Sequence, residues 1–398
     1  MLRRNLTAKV TLLSDLHIGT GTDLIKDLDW LARSDGYVYF ADQSAIAATL
    51  VERAVADGKD ELDIINVITG LKLGDLADAS WLGAADFQNR TLFPYRLRGE
   101  PATAQIREQI KTVNRELYLP GSSFKGALRT VIATAAAKEL KPDVSLARLE
   151  RDRDVERRPR HAKKQYLDAA VDKDIFGKDP NHDFMRLVQV SDSAPVSLDR
   201  LCLRRAHIYP TASQTRRGRS RGLDIDLEAV AKGTEFTLSI HTPLELLEPS
   251  NGEFEARRAE ELKDWERRRN WLERLTQHGR AYARQLLIDE VTYFQPRMDV
   301  PAVHRFYDNL ATRFSELQRN QFLLPLGWGG GWHTKTLNQY LKQDTQNFER
   351  IAKQYRLDPT GDRQPGDRFP KSRHLLRQPN GEPGEPLGWC LVELFVAD

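Results

Sequence analysis

Leu119-Pro120-Gly121-Ser122-Ser123-Phe124-Lys125-Gly126-Ala127-Leu128-Arg129-Thr130 is a turn that runs into a helix. Tyr118-Leu119 ends a strand, Pro120-Gly121 turns the chain, and Ser122 to Glu139 reads as helical, with Ser122 or Ser123 as its cap. The first turn of such a helix leaves backbone N–H groups unpaired, and the aligned peptide dipoles make that end partly positive. Two hydroxyls and the Lys125 ammonium join them, and Arg129 falls four residues later on the same face. Together these groups would cradle a phosphate, with Gly126 removing a side chain where a backbone approaches. The same spacing also fits a plain capped helix carrying two surface cations.

Two further glycine-bearing segments stand on either side of it. Asp15-Leu16-His17-Ile18-Gly19-Thr20-Gly21 reads as a turn after the strand Leu6–Leu13. Gly327-Trp328-Gly329-Gly330-Gly331-Trp332-His333-Thr334-Lys335-Thr336 places four glycines within five residues, flanked by two tryptophans and a lysine. Indole faces stack on bases, and His333 and Lys335 reach phosphate; a turn whose tryptophans pack inward fits equally. Neither segment is a nucleotide-binding fingerprint. Thr334 stands where a P-loop needs glycine before its lysine, and Gly19-Thr20-Gly21 lacks the third glycine of a dinucleotide site.

Outward from these segments, strands and helices mix without regular alternation. Tyr37–Phe40, Phe93–Glu100, Leu187–Ser191, Leu201–Ile208, Phe236–His241 and Gly388–Val396 read as strands. Ser44 to about Leu76, Glu253 to Val291 and a stretch from about Thr336 read as helical. In Glu253–Val291, Leu262, Trp265, Leu272, Leu275, Tyr282 and Leu286 form a stripe at three- and four-residue steps, the mark of a core-facing helix, interrupted at Gly279. Leu149 to Lys164 is densely charged in both signs and reads as an exposed helix or an insertion. This pattern predicts an α+β fold with antiparallel sheet, and no repeat of fixed period runs through it.

Composition narrows the function classes. The chain has 398 residues with 60 basic against 57 acidic side chains, a formal net charge of +3. The basic charge is concentrated: from Leu201 to Leu223 there are six arginines (Arg204, Arg205, Arg216, Arg217, Arg219, Arg221) and no carboxylate. Such a block makes a local positive field, in a flexible Arg-Gly-Ser loop or a merely solvated one. Cys202 and Cys390 alone form no disulfide framework or zinc set, and none of the nine histidines forms a close pair suited to zinc. No apolar stretch approaches a membrane span, and Met1–Val10 lacks the apolar core of a signal peptide. The expectation is a cytoplasmic protein with no metal, no cofactor and no membrane partner.

The three glycine-bearing segments, in this order, resemble the RAMP superfamily of CRISPR proteins. Ile175-Phe176-Gly177 with Val190-Ser191-Asp192-Ser193, and Phe369-Pro370-Lys371-Ser372-Arg373 with Pro386-Leu387-Gly388-Trp389, extend the likeness over nearly the whole chain. It is strongest to the subunit that caps the backbone of the type III-A (Csm) effector complex. The resemblance implies a ferredoxin-like, RRM-type core with large helical insertions. Residues 1–250 would be core, interrupted at about 44–90 and 145–185; 251–318 would be a helical insertion; 319–398 would return to the core with the glycine-rich loop. It implies crRNA as ligand, bound toward its 3′ end, and the adjacent RAMP backbone subunit and other Csm subunits as partners. It also implies a part in crRNA maturation, with a host nuclease as a further partner.

Site residues follow from the same resemblance. His17 and Gly19 fall on the N-terminal turn, Ser122, Ser123, Lys125 and Arg129 on the RNA-contacting helix start, and Gly329, Gly330, Trp332, His333 and Lys335 on the glycine-rich loop. Arg216, Arg217 and Arg219 add the basic block. No catalytic residue is expected. The row-forming subunit of these complexes cuts RNA with a loop aspartate, and Asp15, Asp23, Asp27 and Asp29 lie near that region, but the capping subunit is not expected to use one. The alternative is a metal-independent CRISPR repeat endonuclease with His17 or His333 as general acid or base, since imidazole titrates near neutrality.

Overall fold

A computed structural model describes residues 5–58, 72–78, 80–148, 169–177, 179–180, 182–209, 224–242, 265–335, 337–355, 357, 364 and 369–396. Along the chain, β1 (Asn5–Leu12), β2 (Gly19–Ile25), β3 (Trp30–Ala32) and β4 (Tyr37–Phe40) precede α1 (Gln43–Ala56) and α2 (Leu73–Asp78). β5 (Tyr95–Arg98) and β6 (Gln105–Gln109) lead to α3 (Gly121–Leu140) and α4 (Ala169–Phe176). Next come β7 (Gln189–Val190), β8 (Leu201–Tyr209), β9 (Asp224–Val230) and β10 (Glu235–His241), then α5 (Trp265–Glu273), α6 (Leu275–Phe294) and α7 (Pro301–Ser315). β11 (Gln321–Pro325), α8 (Asn338–Leu341), α9 (Thr345–Gln354), β12 (Arg373–Arg377), β13 (Pro383–Pro386) and β14 (Trp389–Val396) complete the order.

The strands form three sheets, and all but one of their pairings are antiparallel, so the α+β class holds. The first sheet runs β11-β14-β1-β10-β7. In β1, Ala8, Val10 and Leu12 are buried at alternate positions, as a strand with one core face requires. α3 and α6 pack on this sheet and on each other. α3 buries Phe124, Leu128, Val131 and Ile132 on one stripe, while Ser122 and Gly126 stay outside. The second sheet runs β13-β12-β8-β9-β6-β2, with β6 and β9 parallel. A third, β3-β4-β5, closes over α1 and α2 around a separate aromatic cluster of Tyr39, Phe87 and Phe93.

The predicted helix over Glu253–Val291 is in fact two helices that break at Arg274; residues 253–264 lie outside the described residues. Gly279 interrupts the stripe because Phe322 of β11 packs against its Cα, where any Cβ would collide with the ring. The segment 17–21 is only partly a turn, since Gly19 already begins β2. β2 escaped the pattern because Gly-Thr-Gly-Thr has no apolar alternation and its side chains are exposed. The charged stretch Leu149–Lys164 and the block holding Arg216, Arg217 and Arg219 lie outside the described residues.

Candidate nucleic-acid interface

The three glycine-bearing segments meet. The Trp328 N–H donates to the His17 carbonyl at 2.8 Å. Gly327 has φ +69° and lies so close to that carbonyl that a Cβ would strike it, so only glycine fits. The Leu326 N–H donates to Gly388 and the Gly388 N–H to Asp15, each at 2.8 Å, so the glycine-rich loop is zipped onto residues 15–18. The first turns of α3 face this wall across a cleft of about 500 Å³. Ile18 and Gly19 line it from the first segment and Ser122, Ser123, Gly126 and Thr130 from the second; Trp328, Gly330, Thr334 and Lys335 come from the third.

At the helix start the expected phosphate cradle is already occupied in part. The cap is Pro120 rather than Ser122 or Ser123, and no side chain within the motif caps the helix. The Gly121 N–H instead donates to the Asp192 carboxylate at 2.7 Å, which places a negative charge at the positive end of the helix. Ser122 is exposed to the cleft and Lys125 is half-buried, its pKa lowered by burial. Arg129 is not available to a ligand. Its guanidinium binds Asp183 at 2.5 Å and Asp172 at 2.7 Å and lies 3.5 Å over the Phe176 ring. The arginine ties α3 to α4 and to the turn before β7.

His17, His333 and Trp332 are likewise drawn into the protein. His17 is 2 % exposed, and its Nδ1–H donates to the Glu228 carbonyl at 2.7 Å. Burial pushes its pKa down to about 4, against the pull of that hydrogen bond and helped by the nearby charges of Arg107 and Lys111. His333 is 4 % exposed, with Nε2 3.0 Å from the buried Glu290 carboxylate, which also binds Arg373 at 2.8 Å and Tyr307 at 3.1 Å. Burial opposes the Glu290 charge, but Arg373 and His333 outweigh it and hold the carboxyl far below the usual range. Trp332 packs against Phe348 and Phe369, with ring centroids 5.7 and 4.9 Å away. It is partly buried, with its ring packed against the core rather than lining the cleft. Neither histidine is placed for acid–base work on an external strand.

Lys335 is exposed at the cleft and Gly330 lines its wall, whereas Gly329 packs against Leu387 and does not line it. Among the aspartates weighed as a cutting residue, Asp15 is buried and bound by Arg204 at 2.6 Å and by the Lys232 N–H at 2.8 Å. Asp29 is held by the Ile25 N–H and by Gln43. Sequence reading offered Trp328 as one of the two stacking indoles of the glycine-rich loop, and passed over Arg107 and His374. The half-exposed Trp328 carries the Arg107 guanidinium 4.7 Å from its ring centre, with His374 4.5 Å away. Trp328 was visible in the glycine-rich loop, but nothing in Gln105–Gln109 marks Arg107, because the strand is short and polar.

The chain is similar to the "CRISPR system Cms protein Csm5" of Methanocaldococcus jannaschii, 24 % identical over 417 residues that cover 99 % of this chain and 90 % of that protein. It is similar in fold to a chain of a cryo-EM structure of a Csm-crRNA-target RNA ternary complex in a type III-A CRISPR-Cas system. There the TM-score is 0.65 at 23 % identity, covering 99 % of this chain and all 100 % of that one. The crystal structure of T. onnurineus Csm5 matches with a TM-score of 0.60 at 21 % identity, over 97 % of this chain and 99 % of that one. A family model described as the RAMP superfamily matches residues 9–332, from β1 into the glycine-rich loop. On that match the chain belongs to the RAMP superfamily.

Proposed function

We propose that this chain is a non-catalytic, Csm5-like subunit of a type III-A CRISPR effector complex that binds crRNA in the cleft between α3 and the glycine-rich loop. The observation that carries the reading is the convergence of Ile18-Gly19, Ser122–Thr130 and Gly327–Lys335 on that one cleft. Its walls offer backbone, hydroxyls, an indole and an ammonium, the mixture that holds a single strand without reading every base. The full-length likeness to Csm5 proteins supports the place in the complex. On this reading the chain caps the backbone filament beside another RAMP subunit, holds the guide toward its 3′ end and aids its maturation, with a host nuclease as a further partner. The burial of His17 and His333 supports the absence of catalysis by a histidine.

The first sheet also supports a ferredoxin-like core. Its order β14-β1-β10-β7 places the first strand centrally, with α3 between β1 and β7 and α6 between β10 and β14, a βαββαβ pattern. On this assignment α6 is the second core helix, not an insertion. Sequencing RNA that co-purifies with the chain tests the function. Guide fragments sharing one 3′ boundary are expected. Random cellular RNA, or none, would rule the reading out, and a discrete cut product from purified chain and repeat RNA would replace it with an endonuclease.

A further inference from the structure

The arginines on the other strands of the second sheet are paired with carboxylates. On β8, Arg204 binds Asp15 at 2.6 Å and Arg205 binds Asp226 at 3.0 Å. Arg129 has two carboxylates, Arg373 has Glu290, and Arg377 has Asp224 at 2.9 Å. Arg107 differs. It sits at the middle of β6, half-exposed, and among the described residues its side chain makes no hydrogen bond or ion pair. Its opposite residue on β2 is Asp23, which is exposed and unpaired with it, and Glu108 faces the other way, bound to Thr20 at 3.0 Å. What holds Arg107 is the Trp328 ring, 4.7 Å from its Cζ. Trp328 is in turn fixed by its backbone bond to His17 and by His374, whose ring lies 4.5 Å away.

A guanidinium stacked on an indole is oriented while its N–H donors remain free, and a planar fork of free donors is suited to a phosphate. Trp328 lines the cleft and Arg107 lies against its ring, next to but not among the lining residues. We propose that Arg107, oriented by Trp328, is a second cation beside Lys335 at this cleft and grips a backbone phosphate of the single strand, the role that sequence spacing gives to Arg129. Trp328 is its positioning residue. The inference rests on the RNA-binding reading and names a contact within it.

The test measures binding of a labelled oligouridylate to the purified full-length chain over a range of salt concentrations. The wild-type chain binds with affinity that falls as salt rises. Arg107→Ala weakens binding about tenfold and reduces the slope of log affinity against log salt by about 0.7, the loss of one phosphate contact on a single strand. Arg107→Lys keeps the slope and recovers part of the affinity. Trp328→Leu weakens binding, and Arg107→Ala/Trp328→Leu loses less than the sum of the two single losses, because Trp328 acts in part through Arg107. Thermal unfolding of Arg107→Ala within a degree or two of wild type confirms that the fold is intact; if it is not, Arg107→Gln replaces it in the same comparison. Salt-dependent wild-type binding that Arg107→Ala leaves unchanged in strength and slope overturns the proposal alone. A wild-type chain with no salt-dependent binding overturns the RNA-binding reading as well.

Discussion

Burial keeps the His17 imidazole neutral at pH 7, because its pKa in the folded chain is pushed down to about 4 from an ordinary 6.5. Between those values the unfolded chain takes up a proton that the folded chain refuses. The stability linked to His17 is therefore complete above about pH 6.5 and drains away as pH falls toward 4, to a total of about 3 kcal/mol. Urea unfolding at stepped pH should show that loss in the wild-type chain and a flatter profile over the same window in His17→Asn. Trp332→Ala should lower stability by about 3 kcal/mol, read as a drop in the denaturation midpoint, because the indole fills the space between Phe348 and Phe369. The chemistry of these two residues was legible in sequence, and their direction was not. A histidine or tryptophan in a glycine turn looks the same whether it faces a ligand or the core, and only the tertiary neighbours Glu228, Phe348 and Phe369 decide it. Arg129 follows the same logic: its spacing from Lys125 is as read, but Asp172 and Asp183 arrive from distant segments to claim it.

Among the elements, α3 and α6 each carry one interior glycine, with opposite consequences. Gly126 faces the open cleft with nothing near the position of a Cβ. Gly126→Ala should raise stability by about 0.5–1 kcal/mol through helix propensity, whereas Gly126→Leu should intrude on the cleft and weaken RNA binding at unchanged fold. Gly279→Ala should cost about 1–3 kcal/mol, since the methyl would meet the Phe322 ring and force α6 and β11 apart. Chemical denaturation of the three variants checks both signs. Elements with a strong apolar period, such as β1, α3 and β10, were visible in sequence to within a residue or two. α7 went unread although Pro301 opens it and Val303, Phe306, Tyr307 and Leu310 give it a clear buried stripe. β2 and β6 gave no such signal: β2 is the exposed edge of the second sheet, and β6 beside it is five residues long with a single apolar side chain, Ile106.

For the molecule as a whole, sequence gave the mixed class and named the three segments that line the cleft, but not how distant strands pair to bring them together. The first sheet shows why. β1 has no local partner: Leu6 lies opposite Ile240 on one side and Val396 on the other. A ribosome must therefore feed out more than two hundred residues before this strand finds its first neighbour, and nearly the entire stretch before it finds its second. Until then its apolar face and both hydrogen-bonding edges have nothing of their own chain to meet, which makes folding slow and the growing polypeptide prone to aggregate. Refolding from urea should accordingly take seconds or longer in stopped-flow fluorescence, and yields in cells should rise when a chaperone is supplied to shield the waiting strand.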